Sequence, residues 1–367
     1  MKKRRQEGKK MKKKTIRLYA IVSAIAMMMF ALSACGGGSS TEAEEAPTEP
    51  NAGLKGVVFA VPDGWETSET AEDYLRYVVP DTEYALTVST TSEDILKELP
   101  EEMKADTLEE FFDKNYKADE ERIKKYNLKQ EEMKICDSDA YYITAHNKDD
   151  KCLEASAAWM YDNLIYNVRI FNTENFDNEG RVKEDATPME DEMVKAFEGL
   201  VSSIKPGDGE SLRPKSVTVK GIGDYTVDMP EGYVGNAASD EYVEMQKEGS
   251  SITLSIFRTG EDTLSYHEID GKKPESLDEY YNMLTEHSED EDKTSIAGND
   301  AVKEVYPNEN DKYYDATAYF KDDNGVYEIS MRSDAYDDEG KIKEDAEELT
   351  EDDRAVFDAF LASIKKK

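Results

Sequence analysis

An internal duplication is the feature that most constrains what this chain of 367 residues can fold into. Four sequence blocks occur twice in the same order, which does not arise by chance. The chain therefore predicts two copies of one domain, residues 54–205 and 216–367, each long enough for its own core. A turn-rich linker at 206–215 joins them. The paired blocks are residues 59–65 with 227–233, 107–112 with 276–281, 180–186 with 340–346, and 197–205 with 357–365.

Hydrophobic periodicity gives the order of the elements within one copy. The apolar run Val57–Val61 predicts a strand that ends at the turn Pro62-Asp63-Gly64. Thr107 followed by Glu110 is typical of a capping box and predicts a helix that runs to about Tyr126. The other predicted elements are strands at 74–79, 84–89, 139–145, 154–160 and 164–171, a final amphipathic helix at 189–204, and a hairpin turn at Asp323-Asn324-Gly325 of the second copy.

Strands that are interrupted and closed by helices predict an α+β fold, with a mainly antiparallel sheet flanked by helices. The opening strand with its Pro-x-Gly-aromatic turn, the late meander and the last helix ending in Phe…Ser-Ile-Lys resemble the Mog1/PsbP-like α/β/α sandwich. Domains of that family occur in bacterial lipoproteins and in photosystem and Ran-binding proteins. The resemblance implies two duplicated α/β/α-sandwich domains. It transfers no functional residue, because proteins with this fold do unrelated things.

The N-terminal segment indicates where the protein works. Ten of the first 17 residues are Lys or Arg, and such charge keeps the start of a following apolar segment in the cytoplasm. Residues 18–34 carry no charge, as in the hydrophobic region of a signal peptide. The sequence Leu32-Ser33-Ala34-Cys35, followed by Gly36-Gly37-Gly38, resembles the lipobox of bacterial lipoproteins.

The lipobox resemblance implies cleavage before Cys35 and attachment of lipid (diacylglycerol and palmitate) to that residue. Residues 1–34 are then a signal peptide, and residues 35–53 are the lipidated cysteine and a disordered tether without large apolar side chains. We expect the protein on the extracytoplasmic face of a cell membrane, in a Gram-positive envelope. An uncleaved transmembrane anchor is the alternative, since about 17 apolar residues are the lower limit for a span. Met11 is an alternative start to Met1.

The charge balance restricts the partners. The chain has 46 basic and 82 acidic residues, and without residues 1–34, which carry ten basic and one acidic residue, the net charge is −45. Nucleic acid is not expected as a partner, because binding to phosphates depends on Lys and Arg. Cations and basic partners would be attracted, although an acidic, solvated surface is the simpler interpretation. The expected partners are the membrane, through Cys35, and an unknown envelope protein or ligand.

No motif predicts a catalytic residue, a cofactor or a metal site. His146, His267 and His287 lack metal-ligand spacing, and the chain has no nucleophile elbow or phosphate-loop signature.

Two acidic loops, 175–186 and 335–346, partly follow the calcium loop of an EF-hand. Their twelfth positions are Ala186 and Ala346, where calcium needs a bidentate Glu. We interpret the loops as strand-to-helix turns, with cation binding as the alternative. Their acidic residues and glycines are Asp177, Glu179 and Gly180 in one copy and Asp337, Glu339 and Gly340 in the other.

Two cysteines follow Cys35, namely Cys136 and Cys152, and they can form a disulfide outside the cytoplasm. A hairpin turn at 147–150 argues against that bond, because it sets Cys152 opposite Ala145 rather than opposite Cys136.

The chain has 22 Tyr, many of them at strand positions. They line a groove for a glycan or a peptide, or else, as we prefer, they are half-buried residues of the sheets. The tyrosines concerned are Tyr141, Tyr142, Tyr161, Tyr166, Tyr280, Tyr281, Tyr313, Tyr314 and Tyr327.

Together these features predict a membrane-anchored lipoprotein without catalytic activity that acts as a binding or assembly module of the cell envelope. A hydrolase or modifying enzyme of the envelope is one alternative, and it needs a cleft with convergent polar groups. A solute-binding subunit of a transporter is another. It needs two lobes that close on a ligand, which two complete domains on a short linker do not favour.

Overall fold

The computed structural model describes most of the chain after residue 48. The described residues divide into two compact units, one that ends at Pro214 and one that begins at Lys215. The signal peptide and lipobox predicted within residues 1–35 lie outside the described residues. The described residues are 49–80, 82–98, 105–176, 182–183, 185–269, 271–286, 288, 292–307, 312–335, 342–343 and 346–367.

In the first unit the strands and helices follow the predicted order. The meander strands and the last helix are confirmed to within two residues at each end. The strands are β1 (Ala52–Leu54), β2 (Val57–Phe59), β3 (Glu66–Thr70), β4 (Tyr74–Val78), β5 (Tyr84–Thr91), β6 (Leu128–Ile135), β7 (Ser138–His146), β8 (Cys152–Tyr161), β9 (Leu164–Asn172) and β10 (Lys205–Pro206). The helices are α1 (Glu93–Glu98), α2 (Leu108–Tyr116), α3 (Glu120–Lys125), α4 (Asp191–Ser203) and α5 (Gly209–Leu212).

The single helix predicted from Thr107 to about Tyr126 is wrong, because the segment forms the two helices α2 and α3. Thr107 caps α2 as predicted, since its side-chain oxygen accepts a hydrogen bond from the Glu110 N–H at 3.1 Å. Lys117 has an extended backbone, which ends α2, and Asp119 then caps α3.

Seven strands of the first unit form an antiparallel sheet in the order β3-β4-β5-β9-β8-β7-β6. The chain makes β3 to β5 as a meander, crosses to the far edge of the sheet through its helices, and returns through β6 to β9. Strand β9 therefore pairs with β5 in the middle of the sheet.

Other elements cover both faces of this sheet. On one face, α4 and the small sheet of β1, β2 and β10 enclose the main core, which includes Phe59, Trp159 and Phe197. On the opposite face, Phe111 of α2 belongs to a second cluster with Ile165 of β9. Each buried aromatic side chain removes a large apolar surface from water, so both layers stabilise the sheet.

The second unit has the same order of strands, with one described α-helix rather than three between its fifth and sixth strands. The sheet order is β13-β14-β15-β19-β18-β17-β16, again antiparallel throughout. The strands are β11 (Gly221–Ile222), β12 (Tyr225–Thr226), β13 (Tyr233–Ala238), β14 (Tyr242–Lys247), β15 (Thr253–Thr259), β16 (Lys293–Ile296), β17 (Asn299–Glu304), β18 (Asp315–Lys321), β19 (Val326–Arg332) and β20 (Lys365–Lys366), and the helices are α6 (Leu277–Thr285) and α7 (Glu351–Ser363).

Both units are thus α+β structures dominated by antiparallel sheet, as the sequence predicts. In the second unit, α7 packs on the main core through Phe357 and Phe360. Tyr280 of α6 packs with Val326 of β19 on the opposite face of the sheet. The predicted hairpin turn at Asp323-Asn324-Gly325 is confirmed, since it lies between the paired strands β18 and β19.

Part of the segment predicted as a linker packs on the first unit. Lys205 and Pro206 pair with β2. Gly209 lies against Gly53 of β1 so closely that a Cβ on Gly53 would be 2.5 Å from the Gly209 Cα. Only glycine leaves room for two backbones at this distance. The division between the units falls after Pro214, near the end of the predicted linker.

Cys136 and Cys152 are not joined by a disulfide. Cys136 lies in the turn between β6 and β7, whereas Cys152 pairs with His146 at the other end of β7. That strand length corresponds to about 27 Å, far beyond the reach of a disulfide. Cys152 faces His146 rather than Ala145, because the register shifts by one residue at this point.

Candidate functional site

Several positions that the sequence singles out lie outside the described residues. Among them are the predicted lipidation site Cys35 and the acidic loop residues Asp177, Glu179, Asp337 and Glu339. In the described part of the chain, no helix is long and apolar enough to cross a bilayer. Within the same residues, no three His, Cys, Asp or Glu side chains are grouped so that they could hold a metal ion. Lipidation and the alternative of cation binding therefore stay predictions.

The first residue of one acidic loop has a structural role. The Asn175 side chain accepts a hydrogen bond from the Thr187 N–H and donates one to the Thr187 carbonyl, both at 2.7 Å. Its amide is therefore already engaged within the fold. The backbone carbonyls of Asn175 and Ala335 accept from Lys183 and Lys343, each at 2.8 Å, so both loops are closed in the same way.

The two described histidines hold local structure. His146 is 2.8 Å from the Thr144 hydroxyl and also bonds the backbone of the following turn. His267 is 2.9 Å from the Tyr280 hydroxyl, which ties the segment after β15 to α6. They belong to different units, and His287 lies outside the described residues. The structure therefore does not bring these histidines together as one site.

Two of the tyrosines considered as groove residues belong to the hydrophobic cores. Tyr166 stacks on Trp159 with ring centroids 5.2 Å apart, and Tyr327 stacks on Phe320 at 4.5 Å. All four side chains are at most 1% exposed. These two tyrosines are therefore buried residues of the sheets and do not line a groove.

The site-like feature of the second unit is one side of its sheet, which we call the polar face. It contains three rows of residues, each with one residue from β14, β15, β19 and β18, aligned by strand register. The rows share a face because alternate residues of a strand point the same way. The rows are Tyr242, Phe257, Glu328 and Tyr319; Glu244, Ser255, Ser330 and Thr317; and Gln246, Thr253, Arg332 and Asp315.

The equivalent face of the first unit is mostly buried. Eight of its twelve residues are buried, against three on the polar face. Phe176, Val182 and Ala186 pack with Val78, Ala85 and Phe171, which belong to one of its rows. The matching row of the polar face is polar and half-buried throughout, and it consists of Gln246, Thr253, Arg332 and Asp315. The rows of the first unit are Tyr74, Ser89, Asn167 and Ala158; Arg76, Thr87, Arg169 and Ser156; and Val78, Ala85, Phe171 and Glu154.

The two faces also differ in charge. The twelve residues of the first unit include two arginines and one glutamate, whereas the polar face includes three carboxylates and one arginine. Arg332 donates to Glu328 at 3.1 Å. Burial lowers the pKa of the Arg332 guanidinium, but Glu328, Tyr319 and Asp315 outweigh this effect, so that pKa lies above its usual value. Arg332 therefore stays a cation beside Glu328 and Asp315.

Glu244 is a carboxylate of the polar face that accepts hydrogen bonds from neutral donors. Its oxygens accept hydrogen bonds from the Tyr242 hydroxyl and, at 3.4 Å, from the Asn236 side-chain amide. Glu244 is half-buried, and a negative charge with neutral partners in such a place attracts a cation more strongly than it would in water.

Thr317 carries an unpartnered hydroxyl on the polar face. The residue is 3% exposed, and among the described residues its hydroxyl has no hydrogen-bond partner. The neighbouring Ser255 and Ser330 hydroxyls bond each other at 3.0 Å. Burial of an unpaired polar group costs about 1–3 kcal/mol. Such a group is therefore retained at a cost in stability.

Thr317→Val is expected to raise the free energy of unfolding of the second unit by about 0.5–1 kcal/mol, because valine has the same shape and no hydroxyl to leave unpaired. Urea unfolding followed by far-UV circular dichroism measures the change. Ser330→Ala is the matched control in the same row. It breaks the bond to Ser255 and should lower stability by about 1 kcal/mol. A loss of stability in Thr317→Val would show that its hydroxyl is bonded.

Two shallow depressions occur on the surface of the described residues. One, of about 660 Å³, lies at the start of α2, and another, of about 630 Å³, lies beside the turn after β14.

Burial raises the pKa of the Cys136 thiol to about 11 and that of the Cys152 thiol to about 12, so both thiols are neutral and poorly nucleophilic at neutral pH.

No protein-family model matches the chain, and no curated protein sequence is significantly similar to it. Fold and site therefore define a class only, an α+β protein of two antiparallel-sheet units in which one sheet carries a polar, partly exposed face. The polar face was not predicted from the sequence, because its rows join strands far apart in the chain. The available signal was the alternation of polar residues at 253 and 255 and at 328, 330 and 332.

Proposed function

We propose that the protein is a membrane-anchored, extracytoplasmic lipoprotein that acts as a non-catalytic binding or assembly module of the cell envelope. The observation that carries this proposal is Leu32-Ser33-Ala34-Cys35 at the end of the uncharged segment 18–34. A basic start, an apolar region and small residues before a cysteine are the signals by which a lipoprotein precursor is exported and cut. The anchor places the rest of the chain just outside a membrane.

Both units are proposed to be Mog1/PsbP-like domains that arose by duplication. The common strand order supports this proposal, as do repeated blocks at equivalent places. The block Ser-Ile-Lys follows the same course in each unit, since Lys205 and Lys365 enter the strands that pair with β2 and β12. Thr107 and Ser276 cap equivalent helices by accepting hydrogen bonds from the N–H groups of Glu110 and Glu279.

A binding role is supported by the form of the polar face. Nine of its twelve residues are partly exposed on a rigid sheet, beside α6, which packs on the same side of that sheet at Val326. Its rows are fixed by strand pairing, so polar groups are presented with little loss of conformational freedom on binding.

Cys35→Ala tests the proposal. In a Gram-positive host, the unaltered protein should partition into detergent and yield an N-terminal peptide that begins at Cys35 and carries the mass of a diacylglycerol. Cys35→Ala should lose both the lipid mass and the cut before position 35, because the thiol is the attachment point. Cys136→Ala is the control and should behave like the unaltered protein. A Cys35→Ala protein that partitions into detergent with an unchanged N-terminal mass would contradict the proposal.

A further inference from the structure

The hairpin turn between β18 and β19 contains Asn324 and Gly325, the one Asn-Gly pair of the sequence. An asparagine followed by glycine can modify itself, because glycine has no side chain to keep its backbone nitrogen away from the asparagine amide. We propose that Asn324 is a latent site of this deamidation, which the folded second unit holds unreactive and which reacts when the hairpin opens. This chemistry is independent of the proposed binding function.

The reaction takes place within these two residues and consumes only water. The Gly325 backbone nitrogen attacks the Asn324 side-chain carbon Cγ, so that a C–N bond forms between them and the Cγ–Nδ2 bond breaks. The attacking nitrogen gives up its proton, and the side-chain amide leaves as ammonia. Water then opens the five-membered imide at either of its carbonyl groups, which leaves aspartate or isoaspartate at position 324.

The peptide unit that contains the attacking nitrogen is held at both ends. The Gly325 N–H donates to Asp322 Oδ1 at 3.0 Å, and the Asn324 carbonyl accepts from the Arg258 guanidinium, also at 3.0 Å. Because the two groups belong to one peptide unit, that unit cannot rotate towards the Asn324 side chain without breaking both bonds. Each bond has one charged partner and is therefore stronger than a neutral hydrogen bond. The Asp322 carboxylate also opposes loss of the proton from the Gly325 nitrogen.

The side chain that is attacked is held as well. Asn324 Nδ2 donates to Asp224 Oδ2 at 2.7 Å, and the Asn324 N–H donates to Asp322 Oδ1 at 2.9 Å. A carboxylate acceptor leaves more electron density on the side-chain amide, which makes its carbon a poorer target for the nitrogen. Asp224 lies 100 residues before Asn324, so this contact exists only in the folded unit.

Packing explains why glycine follows Asn324. A Cβ on Gly325 would lie 3.0 Å from the Thr259 carbonyl oxygen and 3.2 Å from Arg258 Cγ, so the turn has little room for a side chain. In the equivalent turn of the first unit Asn163 precedes Leu164, whose side chain hinders the same attack. One such site per chain is therefore expected.

Deamidation would place a second carboxylate against Asp224. The hydrogen bond from Asn324 is then replaced by repulsion between two like charges. The carbonyl groups of Asp224 and Gly223 accept from the Lys367 N–H at 2.8 Å and from Lys367 Nζ at 2.7 Å, so the same segment also holds the residue that follows β20. The modified turn is therefore expected to loosen the contact between the hairpin and β12.

The test compares the deamidation rate of the full chain when it is folded and when guanidinium chloride unfolds it, at mildly alkaline pH. Peptide mass spectrometry measures the mass gain at Asn324, and chromatography separates aspartate from isoaspartate. We expect the folded chain to react at least about thirtyfold more slowly, because the hairpin must open first. Asp322→Ala should speed the folded reaction by about tenfold, through loss of the acceptor for the Gly325 N–H. Asp224→Ala should speed it by about threefold, since Asp224 is exposed.

Asp323→Ala is the matched control, because it removes an exposed carboxylate from the same turn. Each folded rate is divided by the unfolded rate of the same variant, which cancels the effect of a neighbouring residue on the chemistry itself. For Asp323→Ala this ratio should stay within about twofold of that of the unaltered chain, since an exposed surface charge is screened by salt. Equal acceleration by Asp323→Ala and Asp322→Ala, or equal rates in the folded and unfolded chain, would overturn the proposal.

Far-UV circular dichroism of each variant checks that the fold is retained. Asp322 also accepts a hydrogen bond from the Tyr225 hydroxyl at 2.9 Å, so Asp322→Ala removes more than one contact. If that variant does not fold, Asp224→Ala decides the outcome, and a folded Asp224→Ala chain that reacts no faster than the unaltered one would overturn the proposal.

Asn324→Asp reproduces one product of the reaction and tests its consequence. Hydrogen exchange of the hairpin and β12 amides should be faster by about fivefold or more, through loss of the bond to Asp224. Asn163→Asp, in the equivalent turn of the first unit, is the control and should leave these amides unchanged. Unchanged exchange in Asn324→Asp would contradict the expected loosening of the hairpin.

Discussion

Glu154→Gln is expected to lower the free energy of unfolding of the first unit by about 3–5 kcal/mol. The Glu154 carboxylate accepts two hydrogen bonds from the Arg169 guanidinium, one of them at 2.7 Å, and Arg169 is 1% exposed. Glutamine keeps the shape but has no charge, while the arginine stays protonated. The cation is then left over the Phe171 ring, 4.3 Å away, which is a weaker partner than a carboxylate.

Tryptophan fluorescence during urea unfolding measures this effect, because the two tryptophans of the chain, Trp65 and Trp159, both belong to the first unit. Glu72→Gln is the matched control. Glu72 pairs with Lys55 at 2.6 Å, but its side chain is 83% exposed, so the loss should stay below about 1 kcal/mol. Equal losses for the two variants would contradict the prediction.

A double variant, Glu154→Leu with Arg169→Met, separates the cost of an unpaired charge from the value of the pair. Removal of both partners leaves no buried ion without a partner, so at least half of the loss should be recovered. A double variant that is as unstable as Glu154→Gln would mean that this ion pair stabilises the first unit by more than its desolvation costs.

Asp353→Ala is expected to destabilise the second unit by about 3 kcal/mol. Asp353 is 2% exposed and lies in the first turn of α7. Its carboxylate accepts from the Thr350 N–H at 3.0 Å and from the Lys247 ammonium at 2.6 Å. Alanine breaks the capping box at the start of α7 and removes the counter-charge of Lys247.

Hydrogen exchange of the α7 amides measures the loss, with Asp352→Ala as the control in the same turn. Asp352 is exposed and interacts mainly with the helix dipole, so its removal should cost no more than about 0.5 kcal/mol. Equal protection of the α7 amides against exchange in the two variants would contradict this role of Asp353.

The advantage of Asp353 should depend on pH. Burial raises the pKa of its carboxyl, but hydrogen bonds from Lys247 and Thr350 outweigh this, so the pKa lies below the ordinary value of 3.8. A lowered pKa stabilises the fold above the ordinary value, and this contribution is lost as the pH falls through the folded value. The difference between the unaltered protein and Asp353→Ala is therefore expected to be largest near neutral pH and to shrink in acid.

Local patterns predicted six strands of the first unit but not β1, β3, β6 or β10. Alternation of apolar residues located the meander strands, and the apolar face at 193, 197, 200, 201 and 204 located α4. The break between α2 and α3 was missed because Lys117 is a good helix former, although Asp119 is of a residue type that favours the N-cap, as it is here. Propensity is a weak signal over so few residues.

The side-chain contacts between strands could not be predicted from the sequence. The ion pair of Glu154 and Arg169 and the row from Glu244 to Thr317 depend on strand register, and a shift by one residue would move every side chain to the other face. A hairpin turn fixes register only between its own two strands. Pairing of β5 with β9 and of β15 with β19 follows from the whole topology.

The pairing of β2 with β10 and of β12 with β20 means that each unit begins and ends in the same place. Val58 pairs with Lys205, and Tyr225 pairs with Lys366, so the closing contacts span about 150 residues. Such a domain completes its fold only after its last residues are available. Its neighbouring ends also make each unit a natural candidate for circular permutation, in which the old ends are joined by a short loop and new ones are opened at a surface turn.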